Sequence, residues 1–160
     1  MAKGVLLGLL LWSTALFAHP MGNFSVNHYS KLRITPNGIE LQYALDLAEI
    51  PTFELLRTWR LDPTAPQWKL NERAEQQARE WLSHLSIRVD GRAAKAKLLA
   101  TDSTIADGAG NLPILRVSTR AQVDAAGGKV EYEDGNFPDR AGWRYSLPSA
   151  RCFSGPKEPS

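Results

Sequence analysis

Between Phe24 and Leu47 apolar and polar side chains alternate in two runs. Phe24, Val26, Leu32 and Ile34 share one parity with His28 and Ser30, and Ser25, Asn27, Tyr29, Lys31 and Arg33 take the other. A period of two with one apolar side predicts a half-buried strand. Pro36-Asn37-Gly38 joins a fixed backbone angle to a glycine and predicts a turn. Ile39, Leu41, Tyr43, Leu45 and Leu47 then alternate with Glu40, Gln42, Ala44, Asp46 and Ala48, which predicts a returning strand and an antiparallel hairpin. Pro51 cannot donate to a strand ladder and is expected to end that strand.

Further on, residues 53–60 predict a short helical turn packing Phe53, Leu56 and Trp59, and 62–67 a loop containing Pro63 and Pro66. Asn71 stands where an N-cap is expected, with Glu72 and Glu75 in the first turn, where the helix dipole favours acids. Ala74, Ala78, Trp81, Leu82 and Leu85 fall at helical spacing, so 72–84 predicts an amphipathic helix. Leu85, Ile87 and Val89 predict a short strand, Asp90-Gly91 a hairpin turn, and 94–101 the returning arm. Residues 102–111 read as loose, 112–123 as a strand, 125–128 as a turn and 129–133 as a short strand. The tryptophans Trp59, Trp68, Trp81 and Trp143 read as core packing and edge covering. Together these elements predict a mainly β fold, an antiparallel β-sandwich (immunoglobulin-like) with one amphipathic helix across an open end. The domain is expected over 19–144, followed by an unpatterned, disordered tail over 145–160.

The first 18 residues change the picture of where this domain works. Lys3, the apolar run 5–12 and the small residues that follow predict a secretory signal over 1–18, so the domain is expected to be exported and periplasmic or otherwise extracytoplasmic. The apolar run is shorter than the roughly 20 residues a membrane helix needs. No second run approaches that length, which predicts no membrane span in the mature chain. Cleavage after Ala18 would make His19 the mature N-terminus; cleavage after Ala15 would not. About 140 residues then remain, enough for one core. Without Lys3 the mature chain is nearly neutral and has no basic stripe, which argues against a nucleic-acid partner. One cysteine, Cys152, leaves no intrachain disulfide.

Candidate chemistry centres on the histidines. A mature His19 offers its α-amino group and its imidazole to one ion, and His28 is the third nitrogen, a set suited to copper or nickel. An extended path between the two spans roughly 30 Å, so the site needs the chain to fold back at Met21-Gly22. The structural alternative is a frayed His19 and an inward strand histidine at His28. His84 reads as a solvated helix-end residue, and Asp46 and Glu49 as loop caps or arginine partners ahead of oxygen ligands. Cys152 has no base beside it. No metalloprotease, nucleophile-elbow or phosphate-loop motif is present, and no enzymatic activity is expected.

Three phrases together resemble a bacterial family: His19-Pro20-x-Gly22-Asn23-Phe24 with Asn27; Asp46-x-Ala48-Glu49-Ile50-Pro51-Thr52-Phe53; and Asn136-Phe137-Pro138-x-x-x-Gly142-Trp143-Arg144. Val89 to Arg92 and Gly110-Asn111-Leu112-Pro113 fit as well. The chain resembles the exported N-terminal domain of NicO-type nickel/cobalt transporter-like membrane proteins. The resemblance implies a β-rich extracytoplasmic domain ahead of membrane helices, a membrane transporter component as partner, and a role in nickel/cobalt transport by docking or ion capture. Beyond Arg144 neither a further strand nor the membrane helices are legible, so the chain reads as a shortened or frame-disrupted member. Two alternatives accompany this reading. One is a stand-alone periplasmic copper- or nickel-binding protein using His19 as its N-terminal histidine; the other is a purely structural interaction domain. Across the metal readings the expected ion is nickel, cobalt or copper.

Overall fold

The computed structural model describes residues 23–125 and 128–149. Among them, strands β1 (Val26–Thr35), β2 (Gly38–Leu47), β5 (Ala96–Asp107), β6 (Pro113–Val123) and β8 (Arg144–Ser149) form one sheet in the order β5-β6-β2-β1-β8. Strands β3 (Leu85–Val89), β4 (Arg92–Ala94) and β7 (Val130–Asp134) form a second, in the order β4-β3-β7. Two helices, α1 (Glu49–Trp59) and α2 (Gln67–Ser83), separate β2 from β3. The fold is mainly β.

The opening hairpin follows its alternation. β1 and β2 pair antiparallel from Thr35↔Gly38 to Val26↔Leu47, which turns Val26, His28, Ser30 and Leu32 inward together. Gly38 closes the turn at φ 116°, and a Cβ there would stand 2.9 Å from the Val123 carbonyl, so only glycine fits. Ile39, Leu41, Leu45 and Leu47 of β2 share one core with Leu115, Val117 and Val123 of β6, with Ile87, Val89 and Val130 of the second sheet, and with Leu56, Trp59, Ala74 and Trp81 of the helices. Burying each large aliphatic side chain contributes about 1.5–3 kcal/mol. Asp90 and Gly91, both at positive φ, make the β3–β4 turn with Val89 opposite Arg92.

Several expectations need correction. There are two helices where one was expected. Pro51 does not merely end β2: it lies in the first turn of α1, where a missing N–H costs nothing. On α1 Leu56 and Trp59 are buried but Phe53 is exposed, and Trp68 and Trp143 likewise lie outside the core. Helix α2 begins at Gln67, directly after Pro66, so Asn71 sits inside the helix and caps something else. The arm returning from the Asp90-Gly91 turn is only three residues long, after which the chain crosses to the larger sheet as β5. β5 runs through 102–107, the stretch expected to be loose, because a bulge between Leu98 and Ala100 breaks the period and polar Ser103 faces inward.

The domain also extends past 144. β8 pairs parallel to β1 from His28↔Arg144 to Arg33↔Ser149, so the larger sheet is not wholly antiparallel and the segment 145–149 is no disordered tail. An edge strand whose residues from Arg144 to Ser146 are all exposed has no apolar period to display. The proposed signal 1–18, His19 and residues 150–160, with Cys152, lie outside the described residues. No helix among the described residues is long and apolar enough to cross a membrane.

Candidate functional site

Because β1 faces inward at even positions, His28 is set between the two sheets, with 4 % of its surface exposed. Its Nδ1 lies 2.6 Å from Oδ2 of Asp134, the last residue of β7. The same oxygen accepts the Tyr43 hydroxyl at 2.9 Å, and the other carboxylate oxygen accepts the backbone N–H and the side-chain amide of Asn136, each at 2.9 Å. The Asn136 amide also donates to the Trp81 carbonyl at 3.0 Å, and its oxygen lies 3.0 Å from Nδ1 of His84. An amide oxygen only accepts, so His84 carries its proton on Nδ1. Arg144 closes the far side, donating to the carbonyls of Asp134, Asn136 and Phe137. Beside this cluster Ser30 Oγ and the Tyr132 hydroxyl hydrogen-bond at 2.7 Å, a second link between the sheets.

The electrostatics follow from this packing. Burial alone would raise the Asp134 carboxyl, but the hydrogen bond from His28, the Asn136 N–H, the His28 charge and the Tyr43 hydroxyl together hold it below the usual carboxylate range. Burial, and then the Asp134 charge, push the Tyr43 hydroxyl well above its ordinary value; burial does the same to Tyr132. With Asp134 ionised, Nδ1 of His28 is the donor. Nε2 is buried and has no hydrogen-bond partner among the described residues, and the ring packs edge-on to Phe137 with centroids 6.2 Å apart.

An imidazole oriented by a carboxylate with its second nitrogen free is the arrangement of a metal-ligating histidine. His28 meets that requirement alone: no group of three or more His, Cys, Asp or Glu suited to an ion occurs among the described residues. His19, the donor expected to complete the set, lies outside them. His84 is exposed at the C-terminus of α2 but joined to Asn136, not solvated freely. Asp46 pairs with Arg116 at the surface, 3.3 Å apart.

Glu49 is the residue whose importance the chain's pattern understated. Buried at the start of α1, it accepts the Ala109 N–H at 2.7 Å on one oxygen and the Asn23 N–H at 3.0 Å on the other. The Ala109 N–H, its own backbone N–H and that of Asn23 lower its carboxyl against the opposing effect of burial. Asn27 accepts the Trp143 N–H at 2.9 Å, and Ala141 and Trp143 carbonyls receive the N–H groups of Val26 and His28. Gly142 passes so close to β1 that a Cβ would lie 1.9 Å from the Val26 carbonyl oxygen. Segments far apart in the chain, 23–27, 46–53, 108–112 and 136–144, therefore meet at one end of the molecule. Asp134, Asn136, Tyr43 and Arg144 were not singled out individually; the only signal for any of them is the phrase from Asn136 to Arg144. No family model, no curated protein and no solved structure matches this chain.

Proposed function

We propose that this chain is an exported, non-enzymatic β domain that serves a nickel/cobalt transport system by docking on a membrane transporter component. The observation that carries the reading is the convergence just described. Within the described residues, the phrases resembling the NicO-type exported domain are held to one another by Glu49, Asn27 and Gly142 rather than scattered over the surface. Residues that share such contacts are expected to recur together, which supports treating the resemblance as one structural unit. The finer architecture, an immunoglobulin-like sandwich, belongs to the same proposal. The side-chain bonds His28–Asp134 and Ser30–Tyr132 between the sheets support it.

The test is nickel and cobalt accumulation in source cells lacking the gene. Altered accumulation of either ion, restored by the wild-type gene, is the expected result. Unchanged accumulation of both overturns the transport reading.

A second reading, ion capture through His19 and His28, is favoured by the free Nε2 of His28 behind its carboxylate partner. Calorimetric titration of the mature chain with Cu(II) and Ni(II) decides it. Binding that His28→Ala weakens supports capture, and the absence of heat for either ion rejects it, leaving a purely structural interaction domain.

A further inference from the structure

Where the chain leaves the smaller sheet for the larger, at Lys95, a groove of about 590 Å³ opens between the end of α2, the β3–β4 hairpin and the start of β5. Its floor is apolar, with Leu82, Leu85, Ile87 and Leu98. Its rim is basic, with Arg79, Arg88, Lys95 and Lys97, and no acidic side chain among the described residues lines it. Arg79 is engaged by Glu75, and Arg88 by Glu131 and the Gly91 carbonyl. Lys95 and Lys97 are exposed and have no ion pair among the described residues. The rim thus carries two uncommitted positive charges.

The groove is also flanked by two open strand edges. β4 has only β3 beside it, and β5 only β6. Farther along β5 the edge is closed: Asn71 Oδ1 accepts the Ser103 N–H at 3.1 Å, and the Gln67 amide donates to the Ser103 carbonyl at 2.7 Å. No side chain among the described residues supplies an equivalent cap at residues 96–98. An edge guarded in its middle and left bare beside an apolar, basic groove differs from an edge merely neglected.

We infer that this groove docks an extended segment of a partner polypeptide in which acidic and apolar residues alternate. Strand addition supplies main-chain hydrogen bonds, and alternate side chains read the surface below. Here one set of side chains meets Leu82 and Leu98, and the other meets Lys95 and Lys97. An anionic lipid headgroup would satisfy the charge but has no backbone groups for the bare edge, so a peptide fits the groove better. The inference is independent of the transport reading.

The test uses the full chain and a fluorescein-labelled peptide of about six residues, an ordinary strand length, alternating glutamate and valine. Anisotropy titration is expected to show saturable binding, with amide shifts concentrated at residues 93–98 by NMR. The pair Lys95→Glu and Lys97→Glu is expected to weaken binding about tenfold, as reversal of two rim charges implies, with the melting temperature unchanged. Should that reversal disturb folding, Lys95→Gln with Lys97→Gln carries the same test. The inference is overturned if the peptide fails to bind, if an alternating lysine–valine peptide binds equally, or if rim variants bind as the wild type does. It is also overturned if phosphatidylglycerol vesicles bind at this face while the acidic peptide does not.

Discussion

The Nδ1 of His28, on β1, and the Oδ2 of Asp134, at the end of β7, stand 2.6 Å apart across the two sheets. Around that contact Tyr43 donates to the same oxygen, Asn136 satisfies the other, and Arg144 takes the carbonyls of the 134–137 turn. A buried polar cluster of this kind holds the smaller sheet and the turn after it in one position relative to the larger sheet. Its strength depends on every member being paired.

Replacing Asp134 by asparagine is therefore expected to destabilise the fold by about 3 kcal/mol at neutral pH, the order seen when one partner of a buried pair is removed. The effect has a defined pH dependence. The folded carboxyl lies below its unfolded value, so its contribution is complete above that unfolded value, near pH 4, and is lost as pH falls through the lower folded value. Urea unfolding of wild type and Asp134→Asn should show a large gap at pH 7 that narrows below about pH 4. A gap that stays constant over that range would contradict the role given to the carboxylate.

Glu49 makes a comparable junction by different means, gathering the N–H groups of Ala109 and Asn23 on its two oxygens. In Glu49→Gln one oxygen becomes a donor and faces one of those N–H groups. The expected loss is about 1.5 kcal/mol, the order of one charge-assisted hydrogen bond. It should register locally, as faster amide hydrogen exchange at Asn23 or Ala109 with the exchange of Leu45 unchanged. Uniform acceleration across the core would mean that Glu49 does more than tie these two segments together.

Much of this arrangement was legible from residue order alone, and the parts that were not share a cause. Alternation revealed the β1–β2 hairpin because one face is core and the other solvent. Asp90-Gly91 revealed its turn because both positions need positive φ. Alternation fails for β8, which is exposed from Arg144 to Ser146, and for β5, where a bulge resets the parity and Ser103 occupies an inward position. Asn71 misled for a subtler reason. An asparagine ahead of acidic residues reads as an N-cap, yet its side chain serves a strand 32 residues away in the chain. His28 was identified as an inward strand histidine or a ligand, but Asp134, more than 100 residues later, had no local mark pointing to it. Long-range pairing of polar groups leaves no period to read.

Gly142 gives the sharpest steric prediction. Its φ of 151° and the 1.9 Å separation between a built Cβ and the Val26 carbonyl oxygen leave no room for a side chain. Gly142→Ala must push the 141–144 segment away from β1, disturbing the bonds from Val26 to Ala141 and from His28 to Trp143. A loss of about 2 kcal/mol is expected, the scale of a strained backbone position, measured by chemical denaturation. Gly110→Ala, where nothing lies within 4 Å, serves as the control for a positive-φ glycine without the clash. Equal losses in the two variants would remove the close approach as the explanation.

The guard on the β5 edge makes a prediction about association. Gln67 and Asn71 lie one helical turn apart on α2, so both reach the same strand position, and between them they occupy the backbone donor and acceptor of Ser103. The Asn71 oxygen takes the Ser103 hydroxyl as well, at 2.8 Å. Removing both side chains in Gln67→Ala with Asn71→Ala leaves those backbone groups unpaired at the rim of the sheet. The helix itself should persist, since alanine is the best helix former. Stability is expected to fall by about 2 kcal/mol, as for a pair of lost backbone caps, but the more telling change is in solution behaviour. A strand edge with free N–H and C=O groups is a template for another strand, so the double variant should form dimers or larger species, detectable by light scattering at concentrations where the wild type stays monodisperse. Ser103→Ala, which keeps the two backbone caps and removes only the hydroxyl, should not. If both variants remain as monodisperse as the wild type, the helix side chains are not what protects this edge.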